Sequence, residues 1–235
     1  MERFIFGSFE YSYEMIKQKR KTLSLTVTPE LKIILKCPIE ADAKRRDIFL
    51  RRKWFWLEKQ LRFFKKYQQK QYKREYVSGE SFSYLGRQHR LLVKSAKNNL
   101  VILAKGKITI NTTKDIQDGN YNKKLLAKWY DAKIKTVFSK RITVMNEKFG
   151  SNQPPALLIK KMDKRWGSFL KNNKIILNPK LICISRDCID YVITHELCHS
   201  KYKNHDKNFY RLLEEKYPNW QKTKDKLEII GSSIS

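Results

Sequence analysis

The hydrophobic period changes near residue 40, and that change excludes both an all-helical and an all-strand fold. Over residues 22–28, Leu23, Leu25 and Val27 alternate with polar neighbours, the period of a half-buried strand. Pro29-Glu30 reads as a turn and residues 31–36 as a second strand, closed by Pro38. Over residues 40–67, Leu50, Trp54, Leu57, Leu61 and Phe64 recur at helical spacing, so one stripe packs inward. Arg45, Arg46, Arg51, Arg52, Lys59, Arg62, Lys65 and Lys66 fill much of the remainder, the densest basic helix in the chain. Residues 68–80 are polar and contain Ser78-Gly79, a connector.

Strand signals resume at residues 81–85 and 88–94 around Gly86-Arg87, and at 100–103 and 107–110 around Gly106. A long helix is expected over 121–149, with Gly150 placed to end it. After Pro154-Pro155, strands at 157–162 and 174–177 are expected to pair as a hairpin. Two helices, 186–201 and 206–216, complete the chain, the second stopped near Pro218. The expected class is α+β, with a β-rich N-terminal region over 1–117 carrying the basic helix and a second region over 118–235.

The residues that carry chemistry lie at His195-Glu196-Leu197-Cys198-His199. Residues four apart share a helix face, one turn apart, so His195 and His199 can bind one metal ion. Glu196 then sits beside them, within reach of a water at that ion. Chance predicts roughly 0.004 such patterns in a chain of this composition. Tyr191, Val192, Ile193 and Leu197 supply the apolar helix that the geometry needs. A catalytic zinc site takes three protein ligands and keeps one position open. His205 is the expected third ligand, since the chain must turn back between His199 and Asp206, and Asp206 is placed to cap the next helix. Glu214 or Glu215 is the fallback. A structural zinc site would close with four Cys or His ligands and would not need Glu196.

The net charge of +28 points first to a polyanion partner. Residues 1–120 carry 27 Lys/Arg against 12 Asp/Glu, and residues 121–235 carry 24 against 11, so the charge runs through both halves. Non-specific nucleic-acid contact through the basic helix is therefore an expectation beside the bland reading, a solvated face. Cys37, Cys183, Cys188 and Cys198 form no Cys-x-x-Cys pair, which argues for reduced thiols rather than a disulfide framework. No apolar run is long enough to span a bilayer, and Gly7, Ser8 and Glu10 interrupt the N-terminal apolar patch. The expected setting is cytoplasmic, with no membrane partner.

The chain resembles the YgjP-like metallopeptidases, relatives of the SprT-like and Spartan-type zinc proteases. The resemblance rests on Arg165-Trp166-Gly167-Ser168 after Lys164, on Ile175 to Ile182 with Asn178, on Tyr191 to His199, and on Asn204-His205 with Phe209. Leu50 to Trp56, and Gly79-Glu80-Ser81 leading to Tyr84 to Arg87, match it more loosely. It implies a zincin-like catalytic region over 118–235, a zinc cofactor on His195, His199 and His205, and Glu196 as general base toward a protein or peptide substrate. Two further readings follow: a protease acting on nucleic-acid-bound proteins, or a non-enzymatic nucleic-acid-binding module with a structural metal. Where the family continues with Cys-Ser, this chain has Phe169-Leu170. Tyr202 and Arg165 are candidate oxyanion donors.

Overall fold

The structure is a computed structural model that describes residues 2–28, 30–67, 74–163 and 165–231. The chain divides into two compact units, Met1–Tyr72 and Lys73–Ser235.

The first unit is a sheet packed on one helix. Strands β1 (Glu2–Phe6), β2 (Phe9–Gln18), β3 (Ser24–Val27) and β4 (Ile33–Pro38) precede helix α1 (Ala43–Tyr67). The sheet order is β1-β2-β4-β3; β2 and β4 run parallel and the other pairs antiparallel. Inward-facing Phe4, Tyr11, Tyr13, Val27, Ile33 and Leu35 meet Leu50, Leu57, Leu61 and Phe64 of α1. The helix face and the strands β3 and β4 follow the sequence reading; β1 and β2 were not expected. Their inward residues are aromatic rather than aliphatic, and Gly7 at φ +58° supplies the turn between them. Polar ties cross from sheet to helix: the Tyr11 hydroxyl donates to Glu58 (2.7 Å) and accepts from the Trp54 indole (2.9 Å). Pro29 of the expected turn, Lys164 and residues 68–73 of the expected connector lie outside the described residues.

The second unit opens with β5 (Ser81–Tyr84), β6 (Arg87–Ser95), β7 (Leu100–Ala104) and β8 (Lys107–Thr112), in the order β5-β6-β8-β7. The turns between β5 and β6 and between β7 and β8 hold two successive residues at positive φ, Leu85-Gly86 and Lys105-Gly106, which suits the twist of a two-residue hairpin. Helix α2 (Gly119–Glu147) follows, capped by the Asp118 side chain accepting from Tyr121 N–H (2.9 Å). Its buried stripe of Leu126, Trp129, Ile134, Phe138, Ile142 and Met145 shares one core with Phe82, Leu91, Ile108 and Ile110 of the sheet. That shared core places these four strands with the C-terminal half. The units therefore separate after residue 72, not near 117 where the sequence reading divides the chain.

A small sheet follows, with β9 (Ala156–Ile159), β10 (Gly167–Leu170) and β11 (Lys174–Leu177) in the order β10-β11-β9. The expected hairpin of 157–162 with 174–177 does not form. Strand β9 pairs with β11 in parallel, and the antiparallel partner of β11 is β10. Strand β10 is not legible in the sequence because Gly167-Ser168 gives no strand signal. A 3-10 turn, Pro179–Cys183, leads into α3 (Arg186–Cys198), α4 (Lys207–Lys216) and α5 (Trp220–Gly231). The sequence reading places no helix at α5; Gln221 to Lys226 is a polar run, and Trp220 and Leu227 are the deeply buried positions among its described residues.

Two contacts fix α3. Leu85 and Gly86 N–H donate to the carbonyls of Ile182 and Cys183 (2.8 and 3.3 Å), and a side chain at 86 would strike Ser185 at 2.9 Å. Arg141 of α2 grips Asp190 of α3 with two bonds, 2.6 and 2.7 Å. Burial still outweighs the guanidinium and holds the Asp190 carboxyl above the usual carboxylate range, so the pair anchors α3 at a desolvation cost. No described helix is long and apolar enough to cross a membrane.

Candidate metal centre

Helix α3 is buried on nearly every side: Cys188, Ile189, Tyr191 to Thr194 and Glu196 to Cys198 are all inside. It ends at Cys198, shorter than the expected 186–201, with His199 as its C-cap. The chain then tightens through Ser200 N–H to the Leu197 carbonyl and Tyr202 N–H to the Cys198 carbonyl (3.0 Å each). Asp206 opens α4 by accepting from Phe209 N–H at 2.9 Å, the cap the sequence places there. The turn between the two helices returns His205 to α3.

Three imidazoles converge. Their donor nitrogens lie within 4.8 Å of one another, one each from His195, His199 and His205. His195 and His199 ring centroids are 5.2 Å apart, and His205 lies 4.9 and 4.8 Å from them. The fallback residues Glu214 and Glu215 are exposed and outside this cluster, and Glu215 pairs with Lys216 at 2.8 Å. The fourth histidine, His89, is buried elsewhere with Nδ1 facing the Gly106 carbonyl at 3.2 Å.

The donor set fits a metal such as zinc. A carbonyl can only accept, so His199 Nδ1, 2.9 Å from the Tyr202 carbonyl, carries its proton there and leaves the Nε2 lone pair free. His195 Nε2 and His205 Nε2 lie 3.0 Å apart. Two lone pairs at that distance repel unless a proton or a cation lies between them. His195 Nδ1 is buried and meets no partner among the described residues, so its tautomer is set by what Nε2 faces. Burial, then the neighbouring rings of His199 and His205, push the His195 imidazole down to about 3. His205 is lowered by burial and by His199. Both shifts favour neutral imidazole, the ligating form.

Glu196 is only 7% exposed. Burial drives its carboxyl up to about 7, against the opposing pull of the Phe169 backbone N–H and the Arg165 charge. A carboxyl held there is poised to exchange protons near neutrality.

Three residues matter here beyond the roles the sequence reading gave them. Phe209, fully buried, sets its ring 4.6–5.0 Å from the centroids of all three histidines, a common wall for the cluster. Gly167 leaves room for the Glu196 side chain, since a Cβ there would lie 2.7 Å from Cγ and 2.8 Å from Oε1. Asn178 ties down the loop before β10: its amide donates to the carbonyls of Met162 (2.7 Å) and Arg165 (3.3 Å), and its backbone N–H to that of Trp166 (2.9 Å). All three belong to segments that resemble the family, but spacing alone does not reveal tertiary contacts. Tyr202 contributes its carbonyl to His199, while Arg165 is exposed beside Glu196.

A mixed α+β chain that gathers three imidazoles beside a buried carboxylate has the equipment of a metal-dependent hydrolase. A family model for the YgjP-like metallopeptidase domain matches residues 21–229. The chain belongs to this metallopeptidase family. Among solved structures it is similar to the metallopeptidase zymogen abylysin of Pyrococcus abyssi, with 19% identity and a TM-score of 0.36 over 38% of this chain and 90% of that one. It is also similar to the zymogen jannalysin of Methanocaldococcus jannaschii, with 26% identity and a TM-score of 0.32 over 42% and 88% of the two chains. No curated protein is significantly similar in sequence.

Proposed function

We propose that this protein is a zinc-dependent peptidase in which His195, His199 and His205 hold the metal and Glu196 is the general base. The observation that carries the reading is the convergence of three imidazole donor nitrogens beside the buried carboxyl of Glu196, which shares a helix turn with His195 and His199. When bound, zinc supplies Lewis acidity, which acidifies water and polarises a scissile carbonyl. Glu196 takes a proton from the attacking water and returns it to the leaving amine. The Phe169 N–H and the space above Gly167 orient its carboxylate for both transfers. Strand β10 is the edge of its sheet, so an extended peptide can pair along it beside Glu196. Arg165, exposed and close enough to act on the Glu196 carboxyl, is the candidate oxyanion donor.

A metal that served the fold alone would not require a buried carboxyl that has no ion-pair partner among the described residues, because burying it costs stability. That cost favours the enzyme over a structural module.

Chelation tests the reading. Cleavage of a mixed peptide library should vanish on treatment with a strong chelator and return with stoichiometric zinc. Cleavage that survives complete removal of metal would refute it.

A further inference from the structure

The outer face of α1 is not explained by the peptidase. Its inner face is spent on the core through Leu50, Leu57 and Leu61, each under 10% exposed. On the opposite side, helical spacing aligns Ile48, Arg52, Phe55 and Lys59, with Trp56 beside them. Phe55 is 76% exposed, Ile48 58% and Trp56 37%. Large apolar side chains left this open on a charged helix call for a partner. Arg51 and Arg62 are partly neutralised by Asp47 and Glu58 one turn away, but Arg52 and Lys59 have no ion-pair partner among the described residues. The Arg52 guanidinium lies 6.0 Å from the Phe49 ring centroid, which holds it against the helix.

We infer that this face binds single-stranded nucleic acid, with Arg52 and Lys59 on phosphates and Phe55 and Trp56 stacking on bases. Charge complementarity selects a polyanion, and a net charge of +28 draws it in. The open rings select one whose bases are free to stack, which a duplex does not offer. A membrane fits less well. An interfacial helix inserts its apolar face, and α1 has already buried that face in its own sheet. Base faces and phosphates are common to DNA and RNA, so the surface takes either strand.

The test uses the full chain and fluorescein-labelled oligo(dT), oligo(U), a duplex of the same length, and phosphatidylserine vesicles. Both single strands should bind more tightly than the duplex and the vesicles, with affinity falling as salt rises. R52Q/K59Q should flatten the salt dependence by a slope of about 1.4, since each phosphate contact on a single strand contributes about 0.7. F55A should weaken binding on the order of tenfold while leaving the salt slope unchanged, as loss of a stacked base requires. Circular dichroism of F55A should match the parent, because the ring is exposed. Failure of both strands to bind at low salt, duplex binding equal to strand binding, tighter binding to vesicles, or an F55A variant of parental affinity would each overturn the inference.

Discussion

Glu196→Gln should cost on the order of 10²–10⁴-fold in peptide hydrolysis while leaving bound zinc unchanged. The amide keeps the size and place of the carboxylate above Gly167 but cannot take a proton from water. A second readout separates the base from a structural role. In the metal-free protein, burial raises the Glu196 carboxyl from 4.5 to about 7. Ionisation is then disfavoured in the folded state relative to the unfolded one. Stability falls as pH rises from about 4.5 to 7 and stays lower above that, by about 3 kcal/mol at most. Metal-free E196Q escapes this loss, so it should melt higher than the metal-free parent at pH 8 and equally at pH 4. Full hydrolysis by E196Q would remove Glu196 from the reaction. A parent whose metal-free melting temperature matches E196Q at both pH values would contradict the buried carboxyl.

Gly167→Ala should lower turnover by about 10²-fold, the usual cost of misplacing a catalytic group by about 1 Å. The new methyl carbon would lie 2.7 Å from Glu196 Cγ, well inside contact distance, so the carboxylate must swing away and loosen its bond from Phe169. The three atoms nearest this methyl group all belong to Glu196, so zinc should stay bound and the chain should remain folded. The expected signature is a fall in kcat with metal content and circular dichroism unchanged. Parental kcat in G167A would show that the space beside Glu196 has no role in positioning it.

What the sequence discloses follows how local each feature is. His195, Glu196 and His199 are legible because one helix turn sets their geometry. His205 follows from a short reversal bounded by Asp206, which does cap α4. The face of α1 is legible from its period, and the structure buries Leu50, Leu57, Leu61 and Phe64 as expected. Long-range pairing is not disclosed. The parallel partnership of β9 with β11 joins strands separated by β10, and no local pattern encodes that. The division after residue 72 depends on β5 to β8 sharing a core with α2, a fact of packing rather than of composition. The roles of Gly167 and Phe209 are invisible for the same reason: each acts through groups distant along the chain or across a turn.

Activity should depend on a metal held by His195, His199 and His205. Elemental analysis of protein purified without added metal tests it most directly, run in parallel on the parent, E196Q and the H195A/H199A double variant. The parent and E196Q should each carry one zinc per chain, and the double variant none. Zinc retained undiminished by the double variant, with its circular dichroism matching the parent, would contradict this metal site.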